Sequence, residues 1–587
     1  MFVRVKTTPN SPRRSVQVVE SVRSGVAVRQ RIVRYMGIAL DADEEAKLRV
    51  MADEFIARAS AERLNQDSLF SVDAASVARR PGRPARQTLS SVAGVDEVHL
   101  GDLREVARRV EGPHEVLGHL FDYLRFDRVL DGRGTALLRD LVIARVMAPG
   151  SKRASAEQLD LHYGRTHSLD NVYRLMDALH ERLDVLKQLV LQATASLTGG
   201  AVQMMLFDVT TLYFESVDAD ELRAFGYSKD QKYHCTQVVL ALATNEDGLP
   251  IGYELFPGNT AEVKTLLACM QSWQEQLPAG RVSFVADRAL CSRANLAALE
   301  AAPWNYVVAM PLLRSLGEAQ QAQVLNTATA APLELGGELV WVREFDWAGR
   351  RLIVTYSSKR AHKDQADRQA LLARLQAKLG GPGAAAKPRV DKTTGEIKTP
   401  TKMPTKTSTK KPTANAKKLI TNSGYLRYIE SADQGGVFVL DEDRVAADAA
   451  WDGLHAIVTN DRSASASQLL AQYRRLWVIE ESFRTLKHGL AVRPIYHFKP
   501  ERIQAHIGLC YLAFALTRHA QQRIKLAQQA MSVERIRAAL HGVQASILEH
   551  TKTKAKYRMP SSFTHEAGRI YKAFGLSREL SPSIDLG

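Results

Sequence analysis

The sequence contains little cysteine and no long apolar run. Only 4 of its 587 residues are cysteines, and no two of them form a Cys-x2-Cys pair. The sequence therefore gives no support for a disulfide framework or a structural zinc site. The longest uncharged apolar stretch near the C-terminus, residues 507–516, is about half the length that a helix needs to cross a bilayer, so we interpret it as core.

The first residues, Met-Phe-Val-Arg-Val-Lys, do not include the apolar segment of a secretory leader. The apolar and charged fractions, 45% and 24%, are ordinary for folded proteins and argue against extensive disorder and against a membrane protein. We therefore expect several packed domains in a reducing cytoplasm.

The net charge of +15 is concentrated in two segments. Residues 387–418 contain ten Lys or Arg and two acids, and residues 1–35 contain eight and one. The first segment is rich in Lys, Thr and Pro and cannot build a core. Its cations suit contact with DNA phosphates, but a solvated insertion explains them equally well, so we assign the segment no role.

Two aspartates each follow a predicted buried strand, Asp208 after residues 202–207 and Asp287 after residues 282–286. An aspartate in such a position is more often a turn residue or a helix cap. The pattern between and after them predicts a hairpin, a helix, the strand before Asp287, a second helix and a further strand. Asn259 is the predicted cap of the first helix.

Residues 473–487 place a carboxylate, a base and an aromatic ring at heptad spacing. If they form one helix, Tyr473, Glu480 and Lys487 share a face. Glu481 points about 100° away from Glu480 and loses both spacings, which favours Glu480. A solvated helix with ordinary charge pairs is an equally common explanation of this stretch.

Trp477, in the same stretch, has two interpretations. A tryptophan on an amphipathic helix is more often part of the core, but a displaced DNA base can also stack on it.

This order of elements and acids resembles the DDE transposases of bacterial insertion sequences, in the group whose third motif is Tyr-x2-Arg-x3-Glu-x6-Lys. Other similar segments are Gly226-Tyr-Ser-Lys-Asp230, Gly248-Leu-Pro-Ile-Gly252, Pro257-Gly-Asn259, Asp452-Gly-Leu454 and Thr459-Asn460. One position departs from the motif: Leu476 stands where the arginine is expected, and Arg475 lies about 140° around the helix from Glu480.

The resemblance implies an α/β fold. Its core would be ribonuclease H-like, with a mixed five-stranded sheet, flanking helices and a β-rich insertion. The predicted divisions are an N-terminal β-hairpin and helix region (1–63), a linker (64–95), a helical DNA-binding domain (96–200), the first part of the core (201–310), the insertion (311–465, with a Lys/Thr/Pro loop at about 382–418), the catalytic helix region (466–530) and a C-terminal helical tail (531–587).

The resemblance also implies the chemistry. Asp208, Asp287 and Glu480 would be catalytic and would hold two Mg²⁺ ions, for which Mn²⁺ is a substitute. The residues implied to contact DNA are Tyr473, Arg475, Arg484 and Lys487. The first alternative is a ribonuclease H-like endonuclease that cuts without joining. The second is a catalytically inactive DNA-binding repressor derived from a transposase.

The implied partners are double-stranded DNA, as transposon terminal inverted repeats and as target, and a second copy of the chain. Two ends must be brought together for cut-and-paste transposition, which predicts a homodimer in the synaptic complex. No membrane is involved. The protein is expected in the bacterial cytoplasm and at the nucleoid when it acts.

Overall fold

The structure, a computed structural model, consists of two compact units, one formed by Met1–Asn305 with Arg475–Gly587 and the other by Tyr306–Arg474. Both units combine helices and strands, which confirms the α/β class. The residues that the structure describes are 2–7, 14–24, 27–39, part of 42–56, 98–199, 202–215, 218–226, 234–274, 282–326, 330–378, 389–390, 397–398, 427–431 and 438–585.

The first unit begins with an antiparallel sheet in the order β1-β2-β3. Its strands are β1 (Phe2–Thr7), β2 (Arg14–Ser24) and β3 (Ala27–Ala39). The predicted hairpin region is thus present as β2 and β3, with β1 added at its edge. The predicted linker, 64–95, lies outside the described residues.

A strand and a group of helices come next. They are β4 (Leu103–Val110), α1 (Gly112–Tyr123), α2 (Arg133–Met147), α3 (Lys152–Tyr163), α4 (Leu169–His180) and α5 (Leu183–Leu197). The Ser151 and Ser168 hydroxyls accept hydrogen bonds from the third residues after them, which fixes where α3 and α4 begin. Helices predominate in this region as predicted, but β4 was not foreseen.

The central sheet of the first unit has the predicted order of elements. These are β5 (Met204–Tyr213), β6 (Gln237–Thr244), β7 (Pro250–Pro257), α6 (Glu262–Gln274), β8 (Ser283–Ala286) and α7 (Arg293–Ala301). The strands lie in the order β8-β5-β6-β7. The β5–β8 pair is parallel, whereas β5–β6 and β6–β7 are antiparallel.

Two local predictions in this region are wrong. Helix α6 begins at Glu262, and Asn259 lies in the turn before it, so the expected cap at Asn259 is not formed. The residues after Asp287 first form a 3₁₀ turn, Arg288–Leu290, and α7 begins only where the Ser292 hydroxyl accepts from the backbone N–H of Asn295. In the second case the Ser292 cap, rather than the apolar pattern, determines where the helix begins.

The second unit contains the strands predicted for the insertion and more helix than predicted. Its elements are β9 (Asn305–Ala309), α8 (Leu312–Ser315), α9 (Glu318–Leu325), β10 (Ala331–Leu335), β11 (Glu338–Trp347), β12 (Arg350–Tyr356), α10 (Ser358–Lys378), β13 (Arg389–Val390), β14 (Ile397–Lys398), β15 (Ile429–Ser431), β16 (Phe438–Leu440), α11 (Glu442–Ala449), β17 (Leu454–Thr459) and α12 (Ala466–Arg474). Strands β10, β11, β12, β17 and β9 are neighbours in that order. The 21-residue α10 was missed.

The chain then returns to the first unit. Its last elements are α13 (Trp477–Arg484), a π-helical turn (Thr485–Gly489), α14 (Pro500–Ala527), α15 (Val533–His541), β18 (Gln544–His550), β19 (Lys556–Pro560), α16 (His565–Ala573) and β20 (Ser583–Ile584). The sheet order is β20-β19-β18-β4. The prediction of a helical tail over 531–587 is therefore wrong, since β18 pairs with β4 from far upstream.

Helix α14 lies in the core of the first unit. Residues 507–516 within it are all buried, which confirms their interpretation as core. The helix packs against α1, α2, α4 and α5 and also against β7. Among the described residues, the structure has no helix with the length and apolar character required to span a bilayer.

Candidate active site

The structure brings two of the predicted acids together through strand register. In the parallel β5–β8 pair, Phe207 lies opposite Ala286, so Asp208 and Asp287 are the next positions on the two strands. Neighbouring strands are about 4.8 Å apart, and positions in register point to the same face. Both aspartates are half-buried. They therefore lie side by side at the carboxyl end of this parallel ladder.

Asp208 was expected to end its strand, but it is the fifth residue of the ten-residue β5. The strand continues because Val209 to Tyr213 are mostly β-branched or aromatic and pair with β6. One oxygen of Asp208 accepts a hydrogen bond from the Val209 N–H at 2.7 Å. Only the pairing with β8 ends here, so the two aspartates lie where the parallel ladder stops.

Glu480 is carried by α13, which packs against β5 and β6. The helix buries Val478, Ile479 and Phe483, and Glu480 lies at the margin of that buried face, about 60° from Phe483. The Glu480 side chain is exposed, and no described hydrogen bond or ion pair uses its carboxylate. It is thus on a helix that contacts the strand of Asp208, and it is not committed to a structural contact among the described residues.

Glu481, the rival third acid, has a structural partner. The two terminal nitrogens of Arg518, on α14, each lie 3.2 Å from an oxygen of the Glu481 carboxylate. Arg518 is 8% exposed and also donates to the Ser482 hydroxyl at 3.3 Å. These contacts fix α13 on α14 and determine which way Glu480 faces. Arg518 was not predicted, since an arginine in an apolar helix carries no motif of its own.

The prediction that residues 473–487 form one helix is wrong. Helix α12 ends at Arg474, a turn contains Arg475, α13 begins at Trp477, and the π-helical turn contains Lys487. The heptad argument therefore does not place Tyr473 and Lys487 on the face of Glu480. A π-helical turn widens the spacing and rotates the residues after it, and such turns are frequent at functional sites.

The predicted DNA-contacting residues lie in different settings. Arg475 and Arg484 are exposed at the two ends of α13, and Lys487 is half-buried. Tyr473 belongs to the second unit, where its ring lies 5.0 Å from that of His455. Leu476, in place of the motif arginine, is buried. The core interpretation of Trp477 is wrong, because this side chain is 61% exposed.

Two glycine-containing segments of the resemblance meet beside this sheet. A Cβ on Gly226 would lie 2.1 Å from the Gly258 carbonyl oxygen, and a Cβ on Gly258 would lie 2.1 Å from the Gln237 carbonyl oxygen. The Gln237 amide donates to the Gly258 carbonyl at 2.9 Å. Both glycines are thus required by close backbone approach. Residues 227–230 of the first segment lie outside the described residues.

The other similar segments have structural roles. Asn245 and Gly248 form the β6–β7 turn: the Asn245 side chain accepts from the Leu249 N–H at 2.8 Å, and Gly248 has φ of 78°. In the second unit, the Asn460 side chain accepts from the Tyr306 N–H at 2.9 Å. Asp452 forms an ion pair with Arg368.

The fit to a divalent cation is partial. Carboxylate oxygens suit Mg²⁺, which is commonly held by one or two carboxylates together with substrate phosphates, and the Asp208–Asp287 pair satisfies that requirement. However, no three His, Cys, Asp or Glu side chains of the described residues are grouped closely enough to hold a metal ion. The aspartate pair therefore offers two carboxylates to a cation, and the metal site, with or without Glu480, stays a prediction.

Comparison with known proteins identifies the family. The family model "Transposase DDE domain" matches residues 203–516, more than half of the chain, and the match includes all three predicted acids. No curated protein matches. Nine chains of solved structures match. One is the piggyBac transposase in a cryo-EM synaptic complex with hairpin DNA, with 8% identity and a TM-score of 0.38 over 74% of this chain and 77% of that one. From the family match, the chain belongs to the DDE transposases.

Proposed function

We propose that this transposase moves its element by cut-and-paste transposition, with Asp208, Asp287 and Glu480 as the catalytic acids of a ribonuclease H-like core. One observation carries the proposal. The β5–β8 register sets the two aspartates next to each other, and Glu480 lies on the helix that packs on β5. The arrangement supports an enzyme more than a repressor, since a protein that only binds DNA has no need of paired carboxylates beside its sheet.

The three acids would hold the metal ions that the reaction uses. Asp208 and Asp287 would hold a first Mg²⁺ ion and Glu480 would complete the site for a second, with Mn²⁺ as a substitute. When bound, such ions activate an attacking oxygen and stabilise the leaving 3′ oxygen in an in-line displacement. The Val209 N–H on Asp208 and the Arg518 contacts beside Glu480 hold the acids in place before DNA arrives.

The reaction would have two displacements. Water first attacks the phosphodiester at each element end and releases a 3′ hydroxyl, and that hydroxyl then attacks a target phosphodiester and displaces a 3′ oxygen of the target. Arg475 before α13, Arg484 at its end and Lys487 in the π-helical turn would contact phosphates. Trp477, exposed one turn before Glu480, would stack on a base displaced at the cut. Both ends must react together, so we propose a homodimer on DNA.

The test is cleavage of a labelled duplex that carries the element's own end, with Mg²⁺. We expect Asp208→Ala, Asp287→Ala and Glu480→Ala to lower the cleavage rate by about 10³-fold or more. Affinity for the end should change by less than about threefold, because phosphate contacts position DNA independently of the acids. Glu481→Gln is the matched control and should retain cleavage, because the glutamine amide oxygen can still accept the hydrogen bond from Arg518 and keep α13 in place.

The same assay separates the alternatives. A pre-cleaved end with a free 3′ hydroxyl should give strand-transfer product with wild type; cleavage without transfer would indicate an endonuclease instead. End binding without any Mg²⁺-dependent cleavage by wild type would indicate a repressor. If Glu480→Ala still cleaves, the third acid is assigned wrongly.

A further inference from the structure

The segment from the last residue of the π-helical turn to the start of α14, residues 489–499, exposes two aromatic rings. Tyr496 is 63% exposed and Phe498 is 69% exposed. Ile495, which directly precedes Tyr496, is only 3% exposed. His497 is half-buried, so burial alternates from Ile495 to Phe498 as in an extended strand. Tyr496 and Phe498 therefore lie on one side. Two adjacent exposed rings mark a binding surface more often than a single exposed residue does.

Side chains from neighbouring helices hold the beginning of this segment through its backbone carbonyl groups. Arg537 donates to the Gly489 carbonyl at 2.6 Å, Arg145 donates to the next two carbonyls at 3.4 Å, and the His506 ring contacts the Val492 carbonyl at 3.0 Å. Ile495 forms a parallel bridge with Phe214, directly after β5. Basic side chains from three helices thus fix the backbone while the two rings stay in solvent.

The spacing of the rings suits one flat ligand. Side chains two residues apart on an extended chain are separated by about 6.6 Å. Stacked bases in DNA are about 3.4 Å apart, so a gap of about 6.8 Å between two rings accommodates one base. Stacking on aromatic rings does not depend on base identity, because every base has a π face.

The charge around the rings selects a nucleic acid over a protein partner. Residues 484–502 contain Arg484, Lys487, Arg493, Lys499 and Arg502, and their only acid is Glu501. Of these cations, Arg502 is paired with Asp177, and Arg493 lies 5.2 Å from the Tyr213 ring centroid. A basic segment with two exposed rings has the composition of a single-strand binding site.

We infer that Tyr496 and Phe498 form a stacking site for an unpaired DNA base on the strand that leads to the cleavage site. The inference rests on the proposed function. Phe214, which bridges to Ile495, lies six positions after Asp208, or about 20 Å along the strand. The two rings therefore follow a residue that pairs with the extension of the strand that carries Asp208.

The experiment measures binding of fluorescein-labelled oligodeoxythymidine of about 20 nucleotides, long enough for a site of this kind, by fluorescence anisotropy. The full chain with Asp208→Ala is used in EDTA, so that cleavage plays no part. Tyr496→Ala/Phe498→Ala should raise the Kd about tenfold. The double substitution Tyr496→Phe/Phe498→Tyr keeps two aromatic rings, so its affinity should equal that of the Asp208→Ala parent. Leu161→Ala, which removes another exposed apolar side chain of the same unit, should leave the Kd unchanged.

Three outcomes would overturn the inference. One is an unchanged Kd in the alanine pair while duplex ends still bind, which leaves the proposed function standing. Another is an equal loss of affinity with Leu161→Ala. The third is a change in self-association, measured by sedimentation, without a change in DNA binding, since it would assign the rings to a protein interface. Failure of the parent chain to bind any DNA would instead count against the proposed function.

Discussion

At the scale of single residues, Glu480 and Glu481 differ in what their carboxylates contact. Glu481→Gln removes the charge that faces Arg518, which is largely buried, while the Glu481 side chain is 38% exposed. We expect a loss of about 1–2 kcal/mol in the free energy of unfolding, because one partner remains solvated. Glu480→Gln should leave stability within about 0.5 kcal/mol, as for most exposed substitutions. Urea unfolding of both variants gives the two values.

Together with the cleavage assay, this pair separates structure from catalysis. Glu481→Gln should be less stable and active, and Glu480→Gln should be stable and inactive. If the two phenotypes were exchanged, Glu481 would be the catalytic acid and the contact with Arg518 would have to break on DNA.

Gly258 makes a second prediction at this scale. A methyl group there would lie 2.1 Å from the Gln237 carbonyl and 2.4 Å from the Ala224 carbonyl, both backbone atoms that cannot turn aside. Gly258→Ala should therefore cost about 3 kcal/mol or more in unfolding free energy. Gly101→Ala is the control, since a Cβ there would meet no described atom within 4 Å apart from its own chain neighbours. Equal stability of the two variants by thermal unfolding would show that the turn relaxes freely.

At the scale of elements, the sequence predicts the features that depend on local pattern. The strands β5 to β8 and the buried stretch 507–516 reflect apolar periodicity, and they appear as expected. The single helix over 473–487 fails, because periodicity cannot register a turn at Arg475 or a π-helical turn at Lys487. The pairing of β4 with β18 joins residues more than four hundred positions apart, and no local signal specifies it.

The candidate site divides in the same way. The two aspartates could be predicted because each comes after an apolar strand, and Glu480 because of its family motif. The Arg518 contact with Glu481 could not be predicted, since it depends on how α14 packs on α13. The exposure of Trp477 depends on the same packing.

Residues 489–499 contact His506, which in turn contacts the buried Lys152, and the titration of Lys152 predicts how stability changes with pH. Lys152 lies 2.8 Å from the His506 ring, and burial, together with the charge of Arg145, lowers the pKa of Lys152 from 10.5 to about 7. Between these values the unfolded chain binds more protons than the folded one, so stability should rise with pH. We expect an increase of about 1 kcal/mol per pH unit from pH 7 to 9, with an upper bound of about 1.4 for a single proton.

The measurement is urea unfolding at several pH values between 7 and 9. Lys152→Met should remove most of the rise, because no proton is then released there on folding. Lys264→Met, at an exposed position on α6, should keep it. A wild-type stability that is flat or falls over this range would mean that Lys152 stays charged in the folded protein.

At the scale of the whole molecule, the positive charge and the predicted catalytic acids lie in different parts of the chain, so non-specific DNA binding and DNA cleavage can be tested separately. Residues 387–418 carry +8 of the net +15, and all three predicted acids lie outside them. We expect replacement of this segment by an uncharged Gly/Ser linker of equal length to weaken non-specific DNA binding. It should also make the dependence of log K on log salt shallower, because fewer counterions are released. Mg²⁺-dependent cleavage of the element's end at low salt should persist.

Titrations of DNA binding across a range of salt concentrations give the slope of log K against log salt for both proteins. An unchanged slope would show that the cations of residues 387–418 do not contact DNA and that the charge used in binding lies on the folded units.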